Sequence, residues 1–350
     1  MKAPMILDCT LRDGSYVNNF QFTEEDTEKI SFDLDHAGFP YIEVGHGIGV
    51  GASEKGQYVA ACSDVEYMRA ANKAVKKNKW GMFCIPGVAN LDHIRLAADE
   101  GMDFIRIGTD VTEVDQSKPF IELALKNNIE VFSNFMKSYV LKPTEFADLV
   151  VKAKDFGSQM VYLVDSAGGM LPDEVKDFIK AAKDLTPDTP LGFHGHNNLG
   201  LGVANSLTCA ELGVEMIDTS LQGYGRSAGN TGTEQFISAL IRAGYSTNIS
   251  SLEVMQLGEI HIRPIIDSYG ISSLDIAAGE ALFHSSYMSR VIDIAIKNKV
   301  DPRALIIDLC KVNKIEAPIE LIEEIAQNLK STNPAPSNLP FKKYYGEEQG

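Results

Sequence analysis

The chain has 350 residues, 44% of them hydrophobic and 23% charged, which is enough apolar material for one large barrel with an appendage or for two ordinary domains, and not the composition of a disordered chain. Its formal net charge of -16 leaves no electrostatic footprint for DNA, RNA or anionic lipid, because such partners need clustered Lys and Arg. A small anionic substrate is still admissible, provided that a bound metal and one or two arginines set the local field.

In chain order, short β-branched or apolar runs recur, each followed by a polar or Gly-containing turn and then a segment of helical period. The predicted strands are 5–8, 41–44, 81–85, 104–107, 130–134, 160–164, 191–194 and 216–220. Thr23 opens the first intervening helix with Glu24, Glu25 and Asp26 in its first turn, and Gly38 follows its end. In the sixth, Pro172 stands where a first turn tolerates proline, with Asp173 and Glu174 complementing the helix dipole. Eight even βα units over 1–249 predict a closed (β/α)₈ TIM barrel, an α/β fold, rather than a doubly wound sheet. From about residue 250 the strand signal ceases. Segments 252–260, 278–298, 302–312 and 319–330 read as helices, so 250–330 is expected to be a helical C-terminal domain. The stretch 331–350, with its prolines, reads as an extended tail whose Phe341, Tyr344 and Tyr345 offer anchors.

Cys9, Cys62, Cys84, Cys209 and Cys310 are dispersed, odd in number and free of CxxC spacing, which predicts neither a disulfide framework nor a thiolate zinc site. With no apolar run of signal-peptide or membrane-spanning length, the expectation is a soluble, unprocessed, cytoplasmic protein.

In such a barrel the active site lies at the C-terminal ends of the strands. There stand Arg12 and Asp13 after the first strand, Glu43 and His46 at the second, Asp165 and Ser166 after the sixth, His194 and His196 at the seventh, and residues 222–230 after the eighth. Residues i and i+2 of an extended strand face the same side, so both imidazoles can address one ion, and barrel closure brings Asp13 to the same point. Alone, an HxH pair is weak and a single Asp after a strand is more often a cap. At the strand ends of one barrel, with Arg12 adjacent, a two-His, one-carboxylate metal site is the better reading. The cluster Gly223, Gly225, Gly229 and Gly232 lacks the spacing and the place of a dinucleotide fingerprint, although the helix near Thr233 can offer N–H groups to an anion.

These segments carry a resemblance. TLRDG (10–14), IEVGHG (42–47), DSAGG (165–169), HGHNNLGLGVANS (194–206) and GYGRSAGN (223–230) together resemble the DRE-TIM metallolyases, and within them the 4-hydroxy-2-oxovalerate aldolases, over roughly the first 245 residues and part of the C-terminal region. The resemblance implies that Asp13, His194 and His196 bind a divalent cation, manganese first, with magnesium or cobalt as substitutes. It also implies that Arg12 faces a 2-oxo acid such as pyruvate in its enolate form. Ser166 matches a residue near the pyruvyl carboxylate, Glu43 the glutamate that orients Arg12, and Asn230 a position that supplies a metal ligand in some relatives. His46 is placed with the substrate-facing residues. Several such aldolases pair with an aldehyde dehydrogenase through the C-terminal region, where this sequence departs most, and a homo-oligomer through the helical appendage is expected.

Two departures stand out. The family's RDGS run is followed by histidine, the base at the substrate 4-hydroxyl, where this chain has Tyr16; conversely, His284 stands where the family has a tyrosine before a SerSer pair. The two side chains look exchanged, and His284 is expected to take the proton-transfer role with Tyr16 orienting, because histidine titrates near neutrality. The competing expectations are a Claisen condensation of an acyl-CoA with a 2-oxo acid, a catalytically silent scaffold barrel, and a non-haem iron oxygenase, whose ligand set is similar.

Overall fold

A computed structural model describes residues 1–56, 58–266 and 272–329. Strands β1 (Met5–Asp8), β2 (Tyr41–Val44), β3 (Lys79–Cys84), β4 (Phe104–Asp110), β5 (Glu130–Met136), β6 (Met160–Asp165), β7 (Leu191–Gly195) and β8 (Met216–Thr219) close into a barrel in sequence order. Every neighbouring pair is parallel, and β8 returns to β1 with Met5 opposite Met216. The predicted barrel is the observed one.

Boundaries differ from expectation where polar residues pair. β3 starts at Lys79 rather than 81, because its backbone pairs with Tyr41 while Nζ reaches Glu130 at 2.8 Å. β4 and β5 run on together past 107 and 134 to Asp110 and Met136, with Thr109 opposite Phe135. Their shared extension raises one side of the barrel rim.

The barrel interior is filled in layers, as closure requires. Four strands place an apolar or aromatic residue low in the lumen and a more polar one two positions on: Tyr41 then Glu43, Phe104 then Arg106, Phe132 then Asn134, Met216 then Asp218. The lower layer packs Tyr41, Phe104 and Phe132 with ring centroids 5.2 to 5.6 Å apart, alongside Met160, Tyr162 and Met216. A larger apolar layer between strands and helices includes Leu34, Ile42, Met82, Ile105, Val161 and Phe236.

Local signals explain the helix ends. Thr23 accepts from Asp26 N while the Asp26 carboxylate accepts from Thr23 N, and Gly38 closes Glu24–Ala37 at φ 88°. Pro172 opens Pro172–Leu185.

Beyond the barrel, helices Ser251–Leu257, Ser273–Ala281, Met288–Asn298, Pro302–Val312 and Ile319–Leu329 follow, with a π-helical turn over Gly258–Ile262. The last four share an apolar cluster of their own that includes Leu274, Val291, Leu305 and Ile322. The single helix expected over 278–298 is a correction: it is broken. Leu282 turns left-handed at φ 57°, Phe283 N closes onto Ala278 O at 2.8 Å, and His284 caps the next turn by accepting from Ser286 N. The apolar period survives this break because both helices face one cluster, so periodicity alone does not reveal it. The expected tail, 331–350 with Phe341, Tyr344 and Tyr345, lies outside the described residues. Among the described residues no helix is long and apolar enough to cross a membrane.

Candidate active site

Three side chains converge at the C-terminal mouth. His194 ends β7 and His196 follows two residues later, their ring centroids 5.1 Å apart. Asp13 closes the short helical turn Thr10–Asp13 after β1. Ligand atoms of Asp13, His194 and His196 all lie within 4.8 Å of one another, and the three residues are buried.

Their hydrogen bonds prepare them for a cation. The Nδ1–H of His194 donates to Asp218 Oδ2 at 2.8 Å and that of His196 to the Gly229 carbonyl at 3.3 Å, so on both rings Nε2 keeps its lone pair. Burial drives the His196 imidazolium down to about 4, with His194, Arg226 and Arg12 adding to the effect against the pull of Asp13. Burial would raise the Asp13 carboxyl, but Arg12, the two histidines and a bond from Asn230 outweigh it and hold Asp13 well below the usual carboxylate range. A neutral imidazole and an ionised carboxylate are the ligand forms a divalent ion takes.

Asn230 donates through Nδ2 to Asp13 Oδ2 at 2.9 Å, and its Oδ1 is buried without a hydrogen-bond partner. An orphaned amide oxygen beside the three ligands fits a fourth donor to a hard or borderline cation. Gly225 completes the cradle: a Cβ there would stand 2.8 Å from Asp13 Oδ2 and closer still to Asn230 Nδ2. The residues present therefore fit a divalent ion.

Arg12 is fixed from two sides. Its Nη1 donates to Asp13 Oδ1 and its Nε to Glu43 Oε2, both at 2.7 Å, with the guanidinium 4.8 Å from the Phe83 ring centre. Glu43 also accepts from Arg106 Nε at 2.8 Å, and Arg106 pairs through Nη1 with Asp218, the partner of His194. A fully buried chain, Arg12–Glu43–Arg106–Asp218–His194, thus ties the arginine at the site to a candidate metal ligand across the lumen. Burial would raise the Glu43 carboxyl, yet Arg106 and Arg12 bring it down to about 2. Sequence reasoning placed Glu43 beside Arg12 and missed Arg106 and Asp218. The available signal was a charged residue at an inward position of an otherwise apolar strand, which needs a partner.

A cavity of about 40 Å³ opens among these groups. Arg12, Asp13, His194 and His196 line it together with Tyr16, Ser166 and His284, as expected, and with Arg226, Asn134 and Phe83, which the sequence reading did not assign. The Ser166 hydroxyl accepts from Lys137 N at 3.1 Å. Arg226 lies 4.8 Å over the Tyr16 ring and donates to Ser285 Oγ at 2.9 Å, fastening the barrel mouth to the segment that carries His284. His284 accepts at Nδ1 from Ser286 N, has the Ser286 hydroxyl at 2.6 Å, and is held uncharged by burial, with Arg226, Lys137 and His196 adding to the effect.

His46 is not brought to this cavity. Its ring stacks on Phe20 with centroids 4.1 Å apart, Nε2 bonds the Tyr58 carbonyl at 2.9 Å and Nδ1 accepts from Ile48 N, so both nitrogens are engaged in folding the loop after β2. The helix start near Thr233 is likewise not open to an anion: Thr233 N donates to Ser220 O, and the Glu234 carboxylate accepts from Gln222 N.

Comparison with known proteins agrees with this geometry. The HMGL-like family model matches residues 3–260. The chain is 37% identical over 282 residues to oxaloacetate decarboxylase of Mycobacterium tuberculosis, covering 79% of this chain and 82% of that protein. It is 34% identical to a 4-hydroxy-2-oxovalerate aldolase of Geobacillus genomosp. 3, covering 94% of this chain and 98% of the relative. Among solved structures, the HMG-CoA lyase of Brucella melitensis superposes with a TM-score of 0.64 at 19% identity, covering 74% of this chain and 97% of that one. The carboxyl transferase domain of Rhizobium etli pyruvate carboxylase reaches 0.77 at 14%, covering 95% and 61%. At those identities the structures speak for the fold alone, whereas the match over three quarters of the sequence places this chain in the HMGL-like family.

Proposed function

We propose that the chain is a divalent-metal-dependent carbon–carbon lyase that cleaves, or in reverse forms, the C3–C4 bond of a 4-hydroxy-2-oxo acid, with pyruvate as the enolate component. The observation that carries this reading is the convergence of Asp13, His194 and His196 on one point with Arg12 clamped beside them. When bound, the ion supplies Lewis-acid polarisation of a ketone and its neighbouring carboxylate.

The chain's own groups do the rest. Arg12, immobilised by Glu43 and Asp13, directs its remaining N–H groups at the charge that develops on the 2-oxo oxygen, in a pocket where such a donor is worth far more than in water. Ser166 hydrogen-bonds the substrate carboxylate. His284 accepts the proton of the 4-hydroxyl at Nε2 in its Nδ1–H tautomer, in which Nδ1 exchanges the cap bond from Ser286 N for donation to the Ser286 hydroxyl 2.6 Å away. Tyr16, braced by Arg226, orients the hydroxyl. Glu43 acts as a positioning residue through Arg12.

Manganese is the proposed resident ion, with magnesium or cobalt able to substitute, since one carboxylate, two imidazoles and an amide oxygen form a borderline donor set. The pairing of free, mostly buried thiols with the absence of CxxC spacing supports a reducing, cytoplasmic setting. We extend the proposal to a catalytic barrel over 1–249 with a helical domain after it, a homo-oligomer formed through that helical region, and an aldehyde dehydrogenase as a candidate acceptor of the aldehyde. Light scattering and co-purification test the last two.

Oxaloacetate decarboxylation is the second reading, favoured by the relative of that name. Both reactions break a bond to C3 and leave the same enolate, but decarboxylation needs no base at a hydroxyl. His284 in the cavity, and the near-full-length match to the aldolases, favour the aldol reaction. The test is metal-dependent pyruvate release from a panel of 4-hydroxy-2-oxo acids and from oxaloacetate, with Asp13→Ala as control. Release from the hydroxy acids, absent in the control, supports the aldolase; release from oxaloacetate alone supports the decarboxylase. Release from neither, with acetyl-CoA consumed, moves the assignment to a condensation.

A further inference from the structure

The small cavity at the ligands shares Ile85 and Met136 with a second, outer chamber of about 440 Å³, an order of magnitude larger. This chamber lies over the ends of β3, β4 and β5 and borders the small cavity at those two residues. Its wall is the rim raised by the extension of β4 and β5, closed above by Tyr287 and Glu316 from the helical region.

The wall is polar. Two of its lining residues, Thr109 and Asp110, each carry an oxygen, Oγ1 and Oδ1, that is buried without a hydrogen-bond partner, and Thr109 is only 4% exposed. An unmatched hydroxyl and an unmatched carboxylate oxygen each cost stability unless something supplies a partner. The other Asp110 oxygen is taken by Lys137 Nζ at 3.1 Å, which also donates to Tyr287 Oη and to Ile315 O. Glu113 and Glu316 add two exposed carboxylates, and the Lys55 ammonium is tied to Gly87 O at 2.5 Å. Acceptors and negative charge therefore dominate, which favours a hydroxylated, uncharged occupant and opposes a phosphorylated or carboxylated one.

Resting on the aldolase reading above, we propose that the outer chamber is the subsite for the electrophile and that this enzyme takes an uncharged, polyhydroxylated aldehyde, longer than acetaldehyde, whose hydroxyls bond Thr109 and Asp110. A two-carbon aldehyde leaves the chamber empty and both oxygens unmatched.

The test is aldol addition of pyruvate by the manganese-loaded full-length enzyme to acetaldehyde, glyceraldehyde, erythrose and erythrose 4-phosphate. Deuterium exchange at the pyruvate methyl group is followed in parallel, because it reports enolate formation without any aldehyde. The proposal expects kcat/KM for erythrose to exceed that for acetaldehyde by about tenfold or more, and Thr109→Val and Asp110→Asn to shrink that ratio severalfold. Exchange accompanied by equal or better turnover of acetaldehyde, by a preference for the phosphorylated sugar, or by a ratio unmoved in both variants would overturn it while leaving the aldolase reading standing. Absence of both exchange and addition removes the two together.

Discussion

Replacing Glu43 by Gln tests whether the arginine at the site is held by the buried chain behind it. Glu43 has no exposed surface and bridges Arg12 Nε at 2.7 Å and Arg106 Nε at 2.8 Å. Its carboxyl, ordinarily at 4.5, is pushed up by burial and pulled down further by Arg106 and Arg12 to about 2. At about 1.4 kcal/mol per tenfold, that depression corresponds to about 3 kcal/mol of native-state stability at neutral pH. Because the folded-state value is the lower one, the contribution is complete above 4.5 and is lost as pH falls toward 2. Glu43→Gln should therefore lower the urea unfolding free energy by about 3 kcal/mol at pH 7, with the gap from wild type narrowing below pH 4.5. With Arg12 released on one side, kcat/KM for pyruvate release should fall about a hundredfold, the scale of an ångström-sized misplacement. Asp13 keeps its bonds from Arg226 N and Asn230, so manganese affinity by calorimetry should hold within about threefold. An unchanged kcat/KM refutes the reasoning, and so does a loss of metal affinity as large as the loss of activity.

Three further outcomes follow from the same geometry. Asp218→Asn removes the carboxylate that fixes the His194 tautomer and should weaken metal binding about 10- to 100-fold in a calorimetric titration, while the protein stays folded by circular dichroism. Gly225→Ala places a methyl group against Asn230 Nδ2 and 2.8 Å from Asp13 Oδ2; metal affinity should drop by at least about tenfold, measured the same way, although Gly225 touches no proposed substrate group. His284→Ala should cut cleavage of 4-hydroxy-2-oxo acids by about 10²- to 10⁴-fold yet spare pyruvate methyl exchange in deuterium oxide, since only the former removes a proton from a hydroxyl. Equal losses in both assays would reassign His284 to packing.

The sequence by itself determined the alternation of strands and helices, because a period of two and a period of 3.6 are local properties. It brought together the three candidate metal ligands as well. His194 and His196 share a face through the geometry of one strand, and once eight βα units imply closure, Asp13 is their neighbour. It also suggested Glu43 as the partner of Arg12, through a likeness whose motifs sit at strand ends.

Tertiary structure decided the rest, wherever a residue's meaning depends on what distant chain brings to it. Arg106 finds Glu43 at 63 positions' separation and Asp218 at 112, so its inward place on an apolar strand signals that it needs a partner and nothing local says which. His46 and His284 look alike as letters; stacking on Phe20 turns the first into a loop brace, and the left-handed break at Leu282 carries the second into the cavity. The chamber at Thr109 and Asp110 exists because two strands outrun their apolar cores and a helical region closes over them. Periodicity records which face of an element is buried, and only the packing of elements against one another fixes what that face meets.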